Sequence, residues 1–382
     1  MATLDAPAQR LEVAASTPAA STAPVASSRM LSLDAFRGFT MICMVGNGFG
    51  LAYFLANPVL GPLARQFQHV DWQGMHFWDL IQPFFMFIVG AVMPLSFTRR
   101  WEAGETWTTS LLHVLRRSLL LLLWGLIARS IQAGKPTLDV INVLGQLSFT
   151  YLVAFLVLRK SWRVQAAVAV ALLAAHWAIY QFSAAWFNVP GVTGPWIKDA
   201  NIGWYLDRLV LHKNWGGSYA TINCLSSAAN TIFGVMAGAL LIGPIGAARK
   251  LKVLIGCGLA GIAAGLALSS VIPLIKKIWT PSFALYSAGW TLLALALFYW
   301  LCDLRRWTRW STLFVIVGMN SIFIYLFHEI LGGWLNRTGQ VFTKWMVDAG
   351  GDPWKAVNTL LVVAFQIWVC VWLYRRRIFF KL

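Results

Sequence analysis

Between positions 69 and 90 the chain reads HVDWQGMHFWDLIQPFFMFIVG, which sets His69, Asp71, His76 and Asp79 beside a long apolar run. An imidazole close to a carboxylate suits general-base chemistry near neutral pH, where histidine titrates. His76 and Asp79 are three apart and would share a face on a helix. The plainer alternative is a set of wet loop residues with Asp79 as a helix-terminal anion. Spacing alone leaves both open.

Four other groups carry chemistry. Asp34 and Arg37 in LSLDAFRG form either an intrahelical ion pair or a phosphate-binding arginine site. Asn47 falls inside an apolar run, where an amide acts as helix–helix glue or holds a substrate carbonyl. GMNSIFIYLFHEIL carries Asn320 and the His328–Glu329 pair, an acid–base couple or a cap. IPLIKKIWTPSF carries Lys276 and Lys277, which call for an outside anion or an internal carboxylate. His113, Arg116 and Arg117 could meet phosphates or simply snorkel. His176 reads as a satisfied core histidine, and His212 lies in a loop without an assignment.

The elements that position these residues follow from composition. The chain has 382 residues, 58% of them hydrophobic and only 12% charged, with 21 Trp and 24 Phe. A soluble domain cannot hide that much apolar surface, which excludes a soluble enzyme, a disordered protein and a secreted disulfide scaffold. A membrane-spanning helix needs roughly 20 apolar residues. Ten such runs occur, near 36–56, 77–97, 111–132, 140–158, 164–184, 221–242, 252–273, 282–302, 311–330 and 354–374. They are continuous rather than alternating, so the expected fold is all-α, a polytopic membrane bundle of about ten helices, and not a β-barrel.

Ten crossings put both termini on one side. Twenty of the 31 Lys and Arg residues then fall on that side, which the positive-inside rule makes cytoplasmic. The net charge of +17 therefore records membrane orientation and does not imply nucleic acid. Residues 1–28 are rich in Ala, Ser, Thr and Pro, without a signal-peptide core, and read as a disordered cytoplasmic tail ahead of a membrane domain over 29–382. The five cysteines lie within or beside the spans without CxxC or zinc spacing, so free thiols and no metal are expected. The outer connections near 57–76 and 185–220 are long enough to be functional, with no obvious helix in the second. No G-x-S-x-G, Walker A or dinucleotide fingerprint is present.

From about Arg29 to the C-terminus the sequence resembles the heparan-α-glucosaminide N-acetyltransferase family, including its NagX-type bacterial members. The resemblance rests on RMLSLDAFRGFTMICMVGN, HVDWQGMHFWDLIQPFFMFIVG, IPLIKKIWTPSFALYSAGW and GMNSIFIYLFHEIL. It implies an integral membrane acyltransferase that moves acetyl from cytosolic acetyl-CoA to an amino sugar or related glycan across the membrane. By the same resemblance His69 would be the catalytic base, with Asn47 and Asp79 beside it. The late His328–Glu329 pair matches the family too and, with Asp71 and Trp72, would meet the acceptor, while Arg37, Arg116 and Arg117, read from their charge as partners for phosphates, and Asn320 would meet the donor. The sequence departs from many relatives where Ala220, Thr221, Ile222 and Asn223 replace an Asp-Pro-Glu-Gly run, and where Ser148 replaces an arginine. The expected setting is the bacterial inner membrane, among lipids, and the resemblance is compatible with a homodimer. A transporter of a sugar or amino-sugar derivative fits the same composition.

Overall fold

The structure is a computed structural model that describes residues 30–187, 189–211 and 218–380. The Ala/Ser/Pro-rich tail and His212 lie outside them. The described residues form helices and connecting turns, without strands. In chain order the helices are α1 (Leu31–Val45), α2 (Gly61–Gln66), α3 (Ile81–Glu102), α4 (Trp107–Ala133), α5 (Val143–Val157) and α6 (Trp162–Phe187). There follow α7 (Ile202–Leu211), α8 (Asn223–Ile242), α9 (Ala247–Ser269), α10 (Pro281–Phe298), α11 (Thr312–Met319), α12 (Ser321–Gly350) and α13 (Lys355–Arg375).

Among the described residues seven helices are long and apolar enough to cross a membrane, and eight if α11 and α12 count as one broken span. Three of the ten expected runs are not single straight helices. The run at 36–56 breaks after Val45, because Asn47, Gly48, Phe49 and Gly50 all take positive φ. A left-handed backbone cannot continue a right-handed helix, and Asn and Gly tolerate it best. The run at 140–158 gives only the 15 residues of α5, started by Asn142, whose side chain accepts the Gly145 N–H at 2.8 Å. The run at 311–330 bends by 75° at Asn320, after which α12 continues for 30 residues. The connection at 185–220 contains α7, whose ten residues bury Ile202, Gly203 and Asp207. A helix that short falls below a hydropathy window.

The helices that frame the interior pack through small residues. On α3 and α8 a methyl at Gly90 would overlap the Thr231 carbonyl, and one at Gly234 would overlap the Phe87 carbonyl. Backbones approach this closely only without side chains, which is how membrane helices gain van der Waals contact without a hydrophobic drive. The core between them includes Met41, Met86, Leu147, Ile232 and Phe283. The five cysteines are free thiols.

Two loop segments are tied across the mouth of this core. The Trp72 indole donates to the Trp196 carbonyl at 2.8 Å. Lys198 donates to Asp71 at 2.8 Å, and Lys277 stands 3.6 Å from the same carboxylate. Trp196 in turn stacks on Tyr180. Both ion pairs involving Asp71 are largely solvent-exposed on the acid's side, so they add little to stability.

Candidate active site

Asp79 sits in the short turn Phe77–Leu80 that leads into α3 and is only 1% exposed. A buried carboxylate needs donors on both oxygens, and it has them. The backbone N–H groups of His76 and Val70 reach Oδ2 at 3.0 and 3.3 Å. The imidazole Nδ1 of His69 lies 2.8 Å from Oδ1, and the Lys276 ammonium lies 3.3 Å from the same oxygen. Lys276 Nζ is also 3.1 Å from His69 Nδ1. Since the carboxylate only accepts, its short contact places the proton on Nδ1 and leaves the Nε2 lone pair free.

Burial pushes the His69 pKa below the ordinary histidine value, and the Lys276 charge pushes the same way, against the Asp79 hydrogen bond. Burial likewise lowers the Lys276 pKa, with Asp79 pulling it back up. A neutral, half-exposed imidazole held by a carboxylate can take a proton from a bound hydroxyl or amine.

His69 and Lys276 line a cavity of about 490 Å³. Its other polar walls come from Gln82 on α3, Asn142 and Gln146 at the start of α5, Tyr219, and Thr221 and Asn223 at the start of α8. Gln146 is the hub: it accepts from Gln82 and donates to Asn223 Oδ1 at 3.1 Å and Ser227 Oγ at 2.7 Å. The buried Thr221 Oγ1 has no hydrogen-bond partner among the described residues. On its other side His69 shares a smaller cavity, about 180 Å³, with Asn47.

A second large cavity, about 560 Å³, opens among Arg37, Arg100, His113, Arg117 and Tyr151. Arg117 donates to the Tyr151 hydroxyl at 3.2 Å and lies over its ring, while its buried Nε has no partner among the described residues. The two cavities share walls. Gln82 lines the first and Phe85 the second, one turn apart on α3; Gln146 and Leu147 divide in the same way on α5.

The sequence-derived residues are thus distributed unevenly. His69, Asp79 and Lys276 come together, and Arg37 and Arg117 line the far cavity. Arg37 also makes the intrahelical pair with Asp34, at 2.9 Å. Asn47 is not a mid-span amide on a continuous helix but an exposed kink residue facing His69. Arg116 is exposed and lines neither large cavity, because one step along α4 turns it about 100° away from Arg117. Asn320 is fully buried and holds the C-terminal segment, donating to the Ile378 carbonyl at 3.1 Å and accepting the Phe380 N–H at 3.0 Å. Asp71 and Trp72 are taken by Lys198 and Trp196. His328 lies 3.3 Å from Gln366, and Glu329 accepts from Gln132 at 2.6 Å; neither reaches the His69 cavity walls. His176 is fully buried, 2.9 Å from the Ile278 carbonyl.

Gln82, Gln146, Asn142 and Tyr219 were not singled out by sequence reasoning. The signal for two of them was present: Gln82 and Gln146 are uncharged polar residues inside apolar runs, and Gln82 is three residues beyond Asp79.

Comparisons with known proteins bear on the family. A family model described as a domain of unknown function, DUF5009, matches residues 29–191. The Homo sapiens heparan-alpha-glucosaminide N-acetyltransferase is 26% identical over 93% of this chain, and the Mus musculus protein of that name is 23% identical over 93%. The chain spans about three fifths of the length of these relatives, 60% and 61%. The resemblance read from four motifs therefore extends over nearly the whole chain: it is similar to heparan-alpha-glucosaminide N-acetyltransferases from before α1 to beyond α12.

Proposed function

We propose that this protein is an integral membrane acetyltransferase. It moves acetyl from cytosolic acetyl-CoA to an amino sugar or related glycan on the extracytoplasmic side. The observation that carries this reading is a pair of cavities lined by neighbouring residues of the same two helices, Gln82 and Phe85 on α3 and Gln146 and Leu147 on α5, with arginines in one and His69 in the other. In this reading the chain crosses the bacterial inner membrane ten times, α1 and α5 completing their crossings with the segments that adjoin them. Both termini are cytoplasmic.

The far cavity suits a polyphosphate headed by a long arm. Arg37, Arg100 and Arg117 supply charge-assisted donors, and the unpartnered Arg117 Nε is one such donor held ready. From Arg100 to Gln82 α3 rises about 27 Å, enough for a pantetheine-like arm to lie along it. In the first cavity His69 Nε2 takes the proton of the acceptor as its nucleophile attacks the thioester carbon. The Gln82 amide, which gives only one of its two N–H groups to Gln146, stabilises the charge on the carbonyl oxygen together with Asn47 on the other side of His69. Asp79 keeps the imidazole proton on Nδ1.

The test is acetyl-CoA consumption by the purified protein with a panel of glycans, read by mass spectrometry. Acetylated product that requires His69 supports the proposal. Movement of labelled sugar across a bilayer without acetyl-CoA, and no acetyl transfer, would make the protein a transporter instead.

A further inference from the structure

The charge around His69 says which acceptor it serves. The cavity beside it holds one buried ammonium, Lys276, and otherwise neutral polar groups: the amides of Gln82, Asn142, Gln146 and Asn223 and the hydroxyl of Thr221. No carboxylate lines it among the described residues. Two buried acids contact lining residues, and both are occupied. Asp79 is 1% exposed and occupied by His69, Lys276 and two backbone N–H groups. Asp207 is 4% exposed and accepts the Thr221 N–H at 2.9 Å. Residues 212–217 read HKNWGG and bring no acid in sequence.

From this we infer that the acceptor enters without a positive charge and that the group acetylated is a sugar hydroxyl. The inference rests on the acetyltransferase reading and narrows it, since an amino sugar whose nitrogen is already acylated remains within the proposed class. A protonated amine would leave water to sit near Lys276, and the one carboxylate there, Asp79, is already taken by Lys276, His69 and two backbone N–H groups, which is the costly arrangement for a buried charge. Amides and hydroxyls, by contrast, both donate and accept, as sugar hydroxyls do. Thr221 Oγ1, buried without a partner, is a group such a hydroxyl would satisfy. Trp78 and Phe149, also in the lining, offer flat apolar surfaces to a sugar ring.

The step balances without a further reactant. The acceptor hydroxyl oxygen bonds to the thioester carbonyl carbon as His69 Nε2 takes its proton. The carbon–sulfur bond breaks, the electron pair leaves on sulfur, and the imidazolium returns the proton to the thiolate. The products are an acetyl ester and a free thiol.

The experiment compares glucosamine with N-acetylglucosamine as acceptors, acetyl-CoA being the donor. Hydroxylamine separates the products, since it cleaves esters and spares amides. The wild-type protein should form ester from N-acetylglucosamine at least tenfold faster than amide from glucosamine. Thr221→Asp places a carboxylate in the cavity and should shift that ratio at least tenfold toward glucosamine, while the neutral Thr221→Asn should not. Amide from glucosamine as the main wild-type product would overturn the inference. So would acetyl-CoA binding and slow hydrolysis with neither sugar acetylated, a result that leaves the acetyltransferase reading standing. Absence of both acetyl-CoA binding and thiol release would overturn that reading itself.

Discussion

His69 Nδ1 lies 2.8 Å from the Asp79 carboxylate, and that one contact joins a loop to the short turn that leads into α3, the helix that lines both the His69 cavity and the Arg117 cavity. The loop residue is half-exposed and its partner is buried. The turn ahead of α3 therefore fixes the ring through Nδ1 and does not engage Nε2.

Replacing the ring tests its role. His69→Ala should lower turnover by roughly 10²–10⁴-fold, the usual range for a general base. Acetyl-CoA affinity should change little, because Arg37 and Arg117 lie in the other cavity. Steady-state kinetics with calorimetry on the same preparation separates the two effects. A folded His69→Ala protein with wild-type kcat would remove the base assignment.

The pH profile follows from the lowered His69 pKa. A base works only when deprotonated, so kcat/KM should be lost as pH falls, with a midpoint below the ordinary histidine value of about 6.5. Lys276 is one cause of that lowering, opposed by Asp79. Lys276→Met removes a cation facing Nδ1 and leaves Asp79 opposed only by burial and by Lys277. The acid limb should therefore move to higher pH. An unmoved or lowered midpoint contradicts the electrostatic role of Lys276.

Arg117 and Arg116 are adjacent in sequence but differ in surroundings. Arg117→Ala should weaken acetyl-CoA binding by about 1.5–3 kcal/mol, tenfold to a hundredfold, the range for a charged hydrogen bond. Arg116→Ala should leave it within twofold, since that side chain is exposed outside the cavity. Titration calorimetry on both variants measures the contrast, and equal losses would argue for general surface charge instead.

The α3–α8 seam predicts a stability effect. Gly90→Leu has no room beside the Thr231 carbonyl and should destabilise the fold by about 1–3 kcal/mol, the cost of overpacking. Thermal unfolding in detergent reads it as a lowered midpoint. An unchanged midpoint would mean that the seam opens without cost.

Much of this architecture is legible in the sequence because membrane helices announce themselves by continuous apolar length, and the ten runs each contain helix. The breaks are harder to see. Asn47 and Gly48 sit among apolar residues, and hydropathy does not register a positive φ. Lys276 stands out in sequence as a charge without a partner, but Asp79 is 197 residues away, so only the folded chain names its counter-ion. Arg116 and Arg117 carry the same charge, and only the phase of α4 separates them. The amides that surround His69 were the least visible, since single glutamines in apolar runs also serve as simple helix–helix contacts.

The measurement that bears most directly on the central claim is sidedness in sealed proteoliposomes. Vesicles carrying the protein in one orientation would hold the glycan acceptor inside, on the His69 face, with acetyl-CoA added only outside, on the Arg37 and Arg117 face. Acetylated glycan should accumulate in the lumen, free CoA should appear outside, and His69→Ala should abolish both. Acetylation that occurs only when donor and acceptor share one side, or sugar that crosses unmodified without acetyl-CoA, would contradict a path that joins the two cavities through the membrane.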